Sequence, residues 1–485
     1  MHDNKEWVVA LSVSAAFIVA NSILMSQEQN ALLLVPLVGL VVAFFVMRFE
    51  QALLSIALLT PFAINTTLLG TMQLSLPSEP MMILLSALFL FRILVDKNYD
   101  RAILRHPVSM AVLAQLGWMV VTSLTAVEVV TSLKYTAARM WFVLPFFFAG
   151  VQVFRNRKRA WQLFWCYVVS LSVVIAISTY KTLGNFNDLQ MLHRVMKPFY
   201  NDHTAYGCVI ALMMPAAVEY IVSRGLPLWR RLAAIALFGA LCVGFGLSYC
   251  RAAWISVAAA LMVYLLIRMG MKLKWMMLGA VVCVGLFFAN QSDILYNMGK
   301  NKQDSSRDLA GQLQSISNIS TDASNLERLN RWASAFRMFA EKPLYGCGPG
   351  NYQFLYASYQ RSYQLSTIST DFGDLGNAHS EYIGPLTEQG VPGGALVVAV
   401  FALTFATGVR VYRTAANRAE GRMALGFTLS LLTYYIHGVF NNFLDTDKLS
   451  VPFWAFTAIV VSLDLYGAKK SVDAPRDNIN NKEII

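Results

Sequence analysis

Long apolar runs are the feature of this sequence that most limits its possible folds. A transmembrane helix needs about 20 mostly apolar residues to cross the hydrocarbon core. Because backbone polar groups inside a bilayer must be satisfied within the segment, runs of this length favour helices. The sequence therefore predicts an all-α polytopic membrane protein with about 12–14 transmembrane helices. The candidate runs lie at approximately 7–25, 31–47, 51–65, 80–95, 107–126, 136–154, 160–180, 204–222, 229–247, 252–267, 275–290, 391–409, 422–440 and 450–467.

The composition supports this class. Of the 485 residues, 56% are hydrophobic and 14% are charged, whereas soluble proteins carry about 25% charged residues. This difference excludes an ordinary soluble enzyme, a disordered chain and a nucleic-acid-binding domain, so membrane lipids are expected partners and nucleic acid is not. Six cysteines in a chain of this length do not form a disulfide framework.

The charge distribution predicts the orientation of the spans. The net charge is +11, and Lys and Arg are concentrated in cytoplasmic loops of membrane proteins. With the N-terminus in the cytoplasm and alternating spans, most of the basic residues fall in the inner loops and few fall in the short outer loops. The first run lacks a convincing cleavage site, so it is interpreted as an uncleaved span. Both termini are therefore expected in the cytoplasm. The short runs at 51–65 and 80–95 are also compatible with broken or re-entrant elements.

Four regions follow from this topology: an N-terminal transmembrane bundle (1–290), a large periplasmic loop (291–378), C-terminal transmembrane helices (379–467) and a cytoplasmic tail (468–485). The loop is expected to be partly structured, because structureless loops this long are uncommon. Apolar residues recur at spacings of three and four from Leu326 to Ala340, and Pro343 disfavours continuation of a helix. A helix is therefore predicted from about residue 324 to residue 342.

Several common catalytic motifs are absent from the sequence. Residues 346–350 lack the Lys and the following Ser or Thr of a phosphate-binding loop, and no pair of histidines has zinc-ligand spacing. Asp445 and Asp447 resemble a metal-binding diacid, but we interpret them as part of a solvated turn, since turns favour Asp. No metal and no cofactor is predicted.

Polar residues instead form three clusters at the predicted outer ends of spans. Arg251 begins one span, and it is either a functional cation or an interfacial residue that snorkels. The segment 328–350 is either a solvated helix and glycine turn or a phosphate site, because guanidinium groups bind phosphate oxygens bidentately. His379 is the best candidate for acid–base chemistry, since its usual pKa lies near neutrality, although a lone histidine is more often a hydrogen-bonding residue. The segment 200–203 is a similar but weaker cluster.

The order of these clusters resembles the O-antigen ligase family, within the superfamily of ligases and polymerases. His379 and Ser380, followed after nine residues by Gly390 and Gly393, are similar to the ligase signature. Upstream, the superfamily pattern is matched by the run that ends at Trp254, by Arg331-Trp332 and by residues 343–351. Arg337 and Gly348 fit a spacing that is typical of the polymerases. These motifs cover approximately residues 248–394.

The resemblance implies an inverting glycosyltransferase of the bacterial inner membrane that acts on the periplasmic side without metal or cofactor. The donor would be a glycan linked to undecaprenyl pyrophosphate, and the acceptor would be a sugar hydroxyl of lipid A-core. His379 is then the expected general base. The expected pyrophosphate-binding residues are Arg251, Arg328, Arg331 and Arg337. Glycines expected to allow tight turns or close packing near the site are Gly346, Gly348, Gly350, Gly390, Gly393 and Gly394.

Three alternatives remain open at this stage. A polymerase would join repeat units on the same carrier lipid, and a related ligase would glycosylate protein. From another class, a secondary transporter would suit so many spans. Transporters usually carry internal repeats and polar, broken helices near the midplane, whereas this sequence has no visible repeat and its polar residues cluster at the outer ends of spans.

Overall fold

The computed structural model describes residues 21, 34–68, 72–96, 99–184, 189–192, 194–289, 323–365, 369–370 and 376–468. The chain divides into two compact units, Met1–Leu53 and Leu54–Ile485. The first unit contains helix Leu34–Met47 and the beginning of helix Phe49–Leu59. Most of the predicted span 7–25, the loop residues 291–322 and the tail from residue 469 lie outside the described residues.

The all-α polytopic class is confirmed. In the described part of the chain, 9 helices are long and apolar enough to cross a membrane. They are Ser78–Val95, Pro107–Leu124, Val129–Val153, Arg157–Leu183, His203–Val222, Leu228–Leu247, Arg251–Arg268, Ile383–Thr414 and Asp447–Tyr466.

This number covers the long apolar helices of the described residues, whereas the expectation of about 12–14 spans covers the whole sequence. Other predicted runs form helices that are shorter or more polar: Val38–Met47 and Phe49–Phe62 are short apolar helices, Leu273–Ala289 has 17 residues, and Arg418–His437 is long enough but carries several charges. Hydropathy measures the apolar content of a segment, whereas the length of the helix is set by where the chain turns. Shorter helical segments of the second unit are Arg101–Arg105, Leu189–Leu192, Tyr352–Leu355, Tyr356–Tyr359 and Ser362–Gln364.

A β-hairpin follows helix Phe49–Leu59 and interrupts the predicted run at 51–65. Its strands, Ile64–Leu68 and Met72–Leu76, are antiparallel, with Ile64 opposite Leu76. The following helix begins at Ser78. The third and fourth apolar runs are thus separated by an extended element, which agrees with their short length.

Helix Asp447–Tyr466 lies at the centre of the second unit, and 89% of its most apolar 18-residue stretch is buried. It packs against helices Ile383–Thr414 and Arg418–His437 and against the helical turn Leu144–Ala149. Aromatic rings fill these contacts, including a stacked pair of Phe401 and Tyr435 with centroids 4.3 Å apart. Because protein encloses this helix on most sides, its polar residues depend on protein partners rather than on water.

The predicted loop helix is confirmed and spans Ala323–Glu341; we call it the arginine helix. Trp332, Ala335 and Met338 on its apolar face are buried. They form one cluster with Tyr352 and Tyr356 and with residues at the start of helix Ile383–Thr414. The described part of this helix packs against the spanning helix Ile383–Thr414.

Candidate active site

His379 lies in a strained turn, residues 376–382, which we call the histidine turn. Its φ is 49°, and Tyr249 is the other non-glycine residue with positive φ in the described part of the chain. Such a conformation costs about 1–3 kcal/mol and persists only where the surroundings enforce it. Locally, the Oδ1 atom of Asn377 accepts a hydrogen bond of 3.0 Å from the His379 backbone N–H.

The buried carboxylate of Glu381 fixes the histidine turn to the segment after helix Arg418–His437. Its Oε1 accepts hydrogen bonds from the backbone N–H groups of Phe443 and Leu444, at 2.9 and 2.8 Å. It also accepts one from the Tyr434 hydroxyl at 2.5 Å. The Glu381 backbone N–H in turn donates to the Gly438 carbonyl at 2.8 Å. The position of His379 therefore depends on an element about 60 residues later in the sequence.

Arg331 supports the histidine turn from the other side. Its guanidinium is buried and donates to Glu327 Oε1 at 2.7 Å, to the Asn377 carbonyl at 3.1 Å and to Thr370 Oγ1 at 2.8 Å. The arginine helix is thereby bonded to the residue that caps the His379 N–H. This arrangement changes the expectation from the sequence: Arg331 uses all three of its guanidinium nitrogens to hold protein groups, as a positioning residue does.

Arg328 lies one helical turn before Arg331 and contacts the segment that follows helix Arg418–His437. Its Nε donates to the Phe440 carbonyl at 3.0 Å. Burial, followed by the positive charges of Arg328 and Arg331, lowers the pKa of His379 to about 3, while the carboxylate of Asp202 raises it. His379 is therefore a neutral imidazole at physiological pH. A neutral imidazole is the form that accepts a proton.

Arg251 lies at the edge of the group formed by His379, Arg328 and Arg331. Arg251 is the first residue of helix Arg251–Arg268 and follows directly after Cys250. Burial raises the pKa of the Cys250 thiol to about 11, and the charges of Arg328 and Asp202 also act on this thiol. The preceding residue, Tyr249, has a φ of 49°, so the start of this helix is the second place where strained backbone approaches the site.

Arg337 lies elsewhere. Its guanidinium donates to the Tyr359 carbonyl and to Gln364 Oε1. Burial and the positive charge of Arg361 lower its pKa. In the part of the chain that the structure describes, no contact joins Arg337 to His379. The four arginines that the sequence grouped together are therefore divided by the fold.

The three loop glycines are required by close packing. Gly346, Gly348 and Gly350 have φ of 68°, 103° and 74°. A Cβ on Gly346 would lie 2.3 Å from the Glu388 carbonyl carbon, and one on Gly348 would lie 2.1 Å from the Ala126 Cβ. The loop that contains these glycines therefore packs between the ends of two spanning helices. Its described contacts are structural, and they hold the end of the arginine helix against helix Ile383–Thr414.

Gly390 and Gly393 form a kink rather than only a smooth packing surface. Helix Ile383–Thr414 is interrupted at Gly390, which has φ 68° and ψ −169°. A Cβ at Gly390 would lie 2.2 Å from the Leu344 carbonyl oxygen, and one at Gly393 would lie 2.2 Å from the Gln389 Cβ. The kink receives the backbone that follows the arginine helix, and it separates the helical segment next to the histidine turn from the longer apolar part of the helix.

Two residues of this neighbourhood were not among the site residues predicted from the sequence. Asp202, within a cluster first considered weak, acts electrostatically on both His379 and Cys250. His437 ends helix Arg418–His437, is fully buried, and lies within electrostatic range of Arg328 and Asp202. In the sequence, both Asp202 and His437 are polar residues near the predicted outer end of a span. The same feature identified His379 as a candidate.

The aspartate pair does not form a shared site. Asp447 binds the Ser78 hydroxyl at 2.5 Å and pairs with Lys448 at 3.3 Å. Asp445 is exposed and lies in a turn, as the sequence predicted. Asp447 is thus an internal structural residue rather than part of the solvated turn expected from the sequence. Among the described residues, no group of three or more His, Cys, Asp or Glu side chains has the arrangement of a metal site.

Comparison with known proteins supports the resemblance. Residues 232–398 match the family model described as O-antigen ligase. This range includes Arg251, the arginine helix, the histidine turn and the kink at Gly390. A search of curated protein sequences found no significant match.

Proposed function

We propose, from the match of residues 232–398 to the O-antigen ligase family, that this chain is an O-antigen ligase of a bacterial inner membrane. This match supports the class of O-antigen ligases and polymerases, which act on lipid-linked glycans. The proposed donor is a glycan on undecaprenyl pyrophosphate, and the proposed acceptor is a sugar hydroxyl of lipid A-core. The observation that carries the proposal is the strained turn at His379, which Arg331 of the arginine helix binds through the Asn377 carbonyl.

The proposed reaction is an inverting displacement at the anomeric carbon of the donor. The acceptor hydroxyl oxygen attacks this carbon and forms the new glycosidic bond. The bond between the anomeric carbon and the phosphate oxygen breaks, and undecaprenyl pyrophosphate leaves with the electron pair. His379 accepts the hydroxyl proton, and the resulting imidazolium later loses it to solvent. General-base assistance of this kind contributes about 10²–10⁴-fold to the rate.

Positive charge beside the leaving group favours the transition state, because the charge on the pyrophosphate increases as the bond breaks. Arg328 is the proposed principal cation, since it lies within electrostatic range of His379 and Cys250. Arg251 begins the adjoining helix and is proposed to bind the same group. Arg331 contributes its charge but acts mainly through its bonds to the histidine turn, and Arg337 is not part of the proposed pyrophosphate site.

The proposed orientation places both termini in the cytoplasm and the active site at the periplasmic face. It rests on the concentration of Lys and Arg in alternate loops of the sequence. A site at the ends of spanning helices suits the donor, whose lipid lies in the bilayer and whose pyrophosphate lies at the interface.

The pH dependence of transfer follows from the lowered pKa of His379. The protonated imidazole cannot act as a base, so the acid limb of kcat/KM due to His379 is expected below pH 5, well under the usual pKa of histidine. Arg328→Gln removes a positive charge that lowers this pKa. The acid limb should therefore move to higher pH in this variant. Rates measured from pH 4 to pH 9 with a labelled donor test this result.

Arg337→Gln is the matched control for the pH profile, because Arg337 contacts a different segment. Its profile should coincide with that of the wild type. An acid limb that stays in place in Arg328→Gln would show that Arg328 does not face the titrating base.

The experiment that tests the proposed function is a gel of lipopolysaccharide from a deletion strain, combined with analysis of the carrier-linked glycan. Complementation with the wild type and with His379→Asn provides the controls. A ligase defect gives bare lipid A-core while long chains accumulate on the carrier lipid. Core capped with a single repeat unit would instead identify a polymerase. An unchanged lipopolysaccharide band pattern would exclude lipid A-core as the acceptor. It would then favour the protein-glycosylating ligase or the transporter.

A further inference from the structure

Only one oxygen of the Asp202 carboxylate is held by hydrogen bonds. It caps helix His203–Val222, where its Oδ1 accepts hydrogen bonds from the backbone N–H groups of Thr204 and Ala205, both at 2.8 Å, and from the Thr204 hydroxyl at 2.6 Å. Among the described residues, Oδ2 has no hydrogen bond and Asp202 has no ion pair. The side chain is partly buried. A carboxylate fixed in this way presents one oriented acceptor oxygen.

His437 carries an unsatisfied nitrogen in a fully buried side chain. Its Nε2 lies 3.1 Å from the Asn441 amide nitrogen. Its Nδ1 has no hydrogen-bond partner within the described part of the chain. Buried polar atoms are nearly always paired, and an exception calls for an explanation such as a functional role or a bound water or ion.

Backbone hydrogen bonds place the end of this helix beside the histidine turn. The Gly438 carbonyl accepts from the Glu381 N–H at 2.8 Å, and the Phe440 carbonyl accepts from Arg328 Nε at 3.0 Å. Asp202 caps helix His203–Val222. This helix packs along helix Arg418–His437, and its Ala216 N–H donates to Ser430 Oγ at 3.1 Å. The Asp202 carboxylate also lies within electrostatic range of both imidazoles. The base, the cation, the carboxylate and the second imidazole therefore belong to one neighbourhood.

The charged groups in this neighbourhood suit two different ligands, a pyrophosphate and a sugar. Arg328 suits an anion such as pyrophosphate. A carboxylate repels pyrophosphate but accepts hydrogen bonds from sugar hydroxyls, and an uncharged imidazole exchanges hydrogen bonds with them. Asp202 and His437 thus have the chemistry of a sugar-binding surface rather than of a phosphate clamp.

We infer that Asp202 and His437 form the acceptor-binding side of the site and hydrogen-bond hydroxyl groups of the sugar that receives the glycan. This inference rests on the proposed function and adds to it the residues that select the acceptor. The same hydroxyl chemistry is offered by the first sugar of the donor, so the test must separate the two substrates.

Asp202→Asn and Asp202→Ser are the informative variants, because Asn and Ser both cap helices well. They keep the helix start and remove the charged acceptor oxygen. For His437, glutamine retains a polar group near the Nε2 position and the bond to Asn441, whereas asparagine retains one near the Nδ1 position. His437→Gln should therefore impair acceptor binding more than His437→Asn.

The experiment measures initial rates of the purified full-length protein in lipid nanodiscs, with an undecaprenyl-pyrophosphate-linked glycan and lipid A-core each varied in turn. We expect the KM for lipid A-core to rise by about 10- to 100-fold in both Asp202 variants and in His437→Gln, as for loss of a hydrogen bond to a charged or buried group. The KM for the donor should stay within about 2-fold of the wild-type value, and the unfolding temperature should be unchanged in the Asp202 variants.

Three results would overturn the inference. An unchanged acceptor KM in Asp202→Asn, Asp202→Ser and His437→Gln would show that neither residue binds the acceptor. A rise in donor KM alone would assign the surface to the donor sugar. Absence of transfer by the wild-type protein would refute the proposed function itself, and the inference with it; this differs from wild-type transfer with indifferent variants, which refutes the inference alone.

Discussion

His379→Asn is expected to reduce transfer by about 10²–10⁴-fold while the protein remains folded in the membrane. The reason is that this substitution removes the proposed general base and keeps the backbone conformation. His379 has a φ of 49°, and asparagine adopts the left-handed region more readily than most residues. The measurement is the initial rate of glycan transfer by the purified variant at saturating concentrations of both substrates.

His379→Gly is the matched control for strain, since glycine adopts positive φ without steric cost. It should be as inactive as His379→Asn and at least as stable locally as the wild-type turn. If either variant transfers glycan at a near-normal rate, the general base is a different group.

Breaking the buried ion pair between Arg331 and Glu327 is the second change with a large expected effect. The two side chains are 2.7 Å apart, and each is 6% exposed. Removal of one partner from a buried pair destabilises a protein by about 3–5 kcal/mol. In Arg331→Met we therefore expect a lower unfolding temperature together with a loss of kcat, because the same guanidinium binds the Asn377 carbonyl. Thermal unfolding and steady-state kinetics measure the two effects.

Glu327→Gln distinguishes the two possible roles of Arg331. If Arg331 positions the histidine turn, removing the carboxylate that orients it should also lower kcat and stability. If Arg331 mainly binds pyrophosphate, the same change leaves its charge less compensated, so donor binding should be kept or improved. A raised donor KM in Arg331→Met, with normal kcat and normal stability in Glu327→Gln, would return Arg331 to the pyrophosphate site.

The fold class was predictable because it depends on a local property. Apolar runs near the length of a bilayer crossing leave the backbone few alternatives to helix. The arginine helix was predictable for a similar reason: apolar residues at spacings of three and four and a following proline define a helix without knowledge of its neighbours. The number of spans was less predictable, since helix Arg418–His437 carries its charges at one end and the run at 51–65 ends in a hairpin.

The sequence by itself determined that this is an all-α membrane protein, that a helix of the large loop carries arginines, and that His379 is the leading candidate for a base. Only the tertiary structure decided what each arginine does. Arg328, Arg331 and Arg337 were all expected from the sequence to bind pyrophosphate, yet Arg331 holds the histidine turn and Arg337 contacts another segment. Asp202 and His437 came to the site in the same way, from helices far apart in the chain. The physical reason is that hydropathy and helix periodicity are read within one segment, whereas the partners of a buried polar group are supplied by whichever segments pack around it.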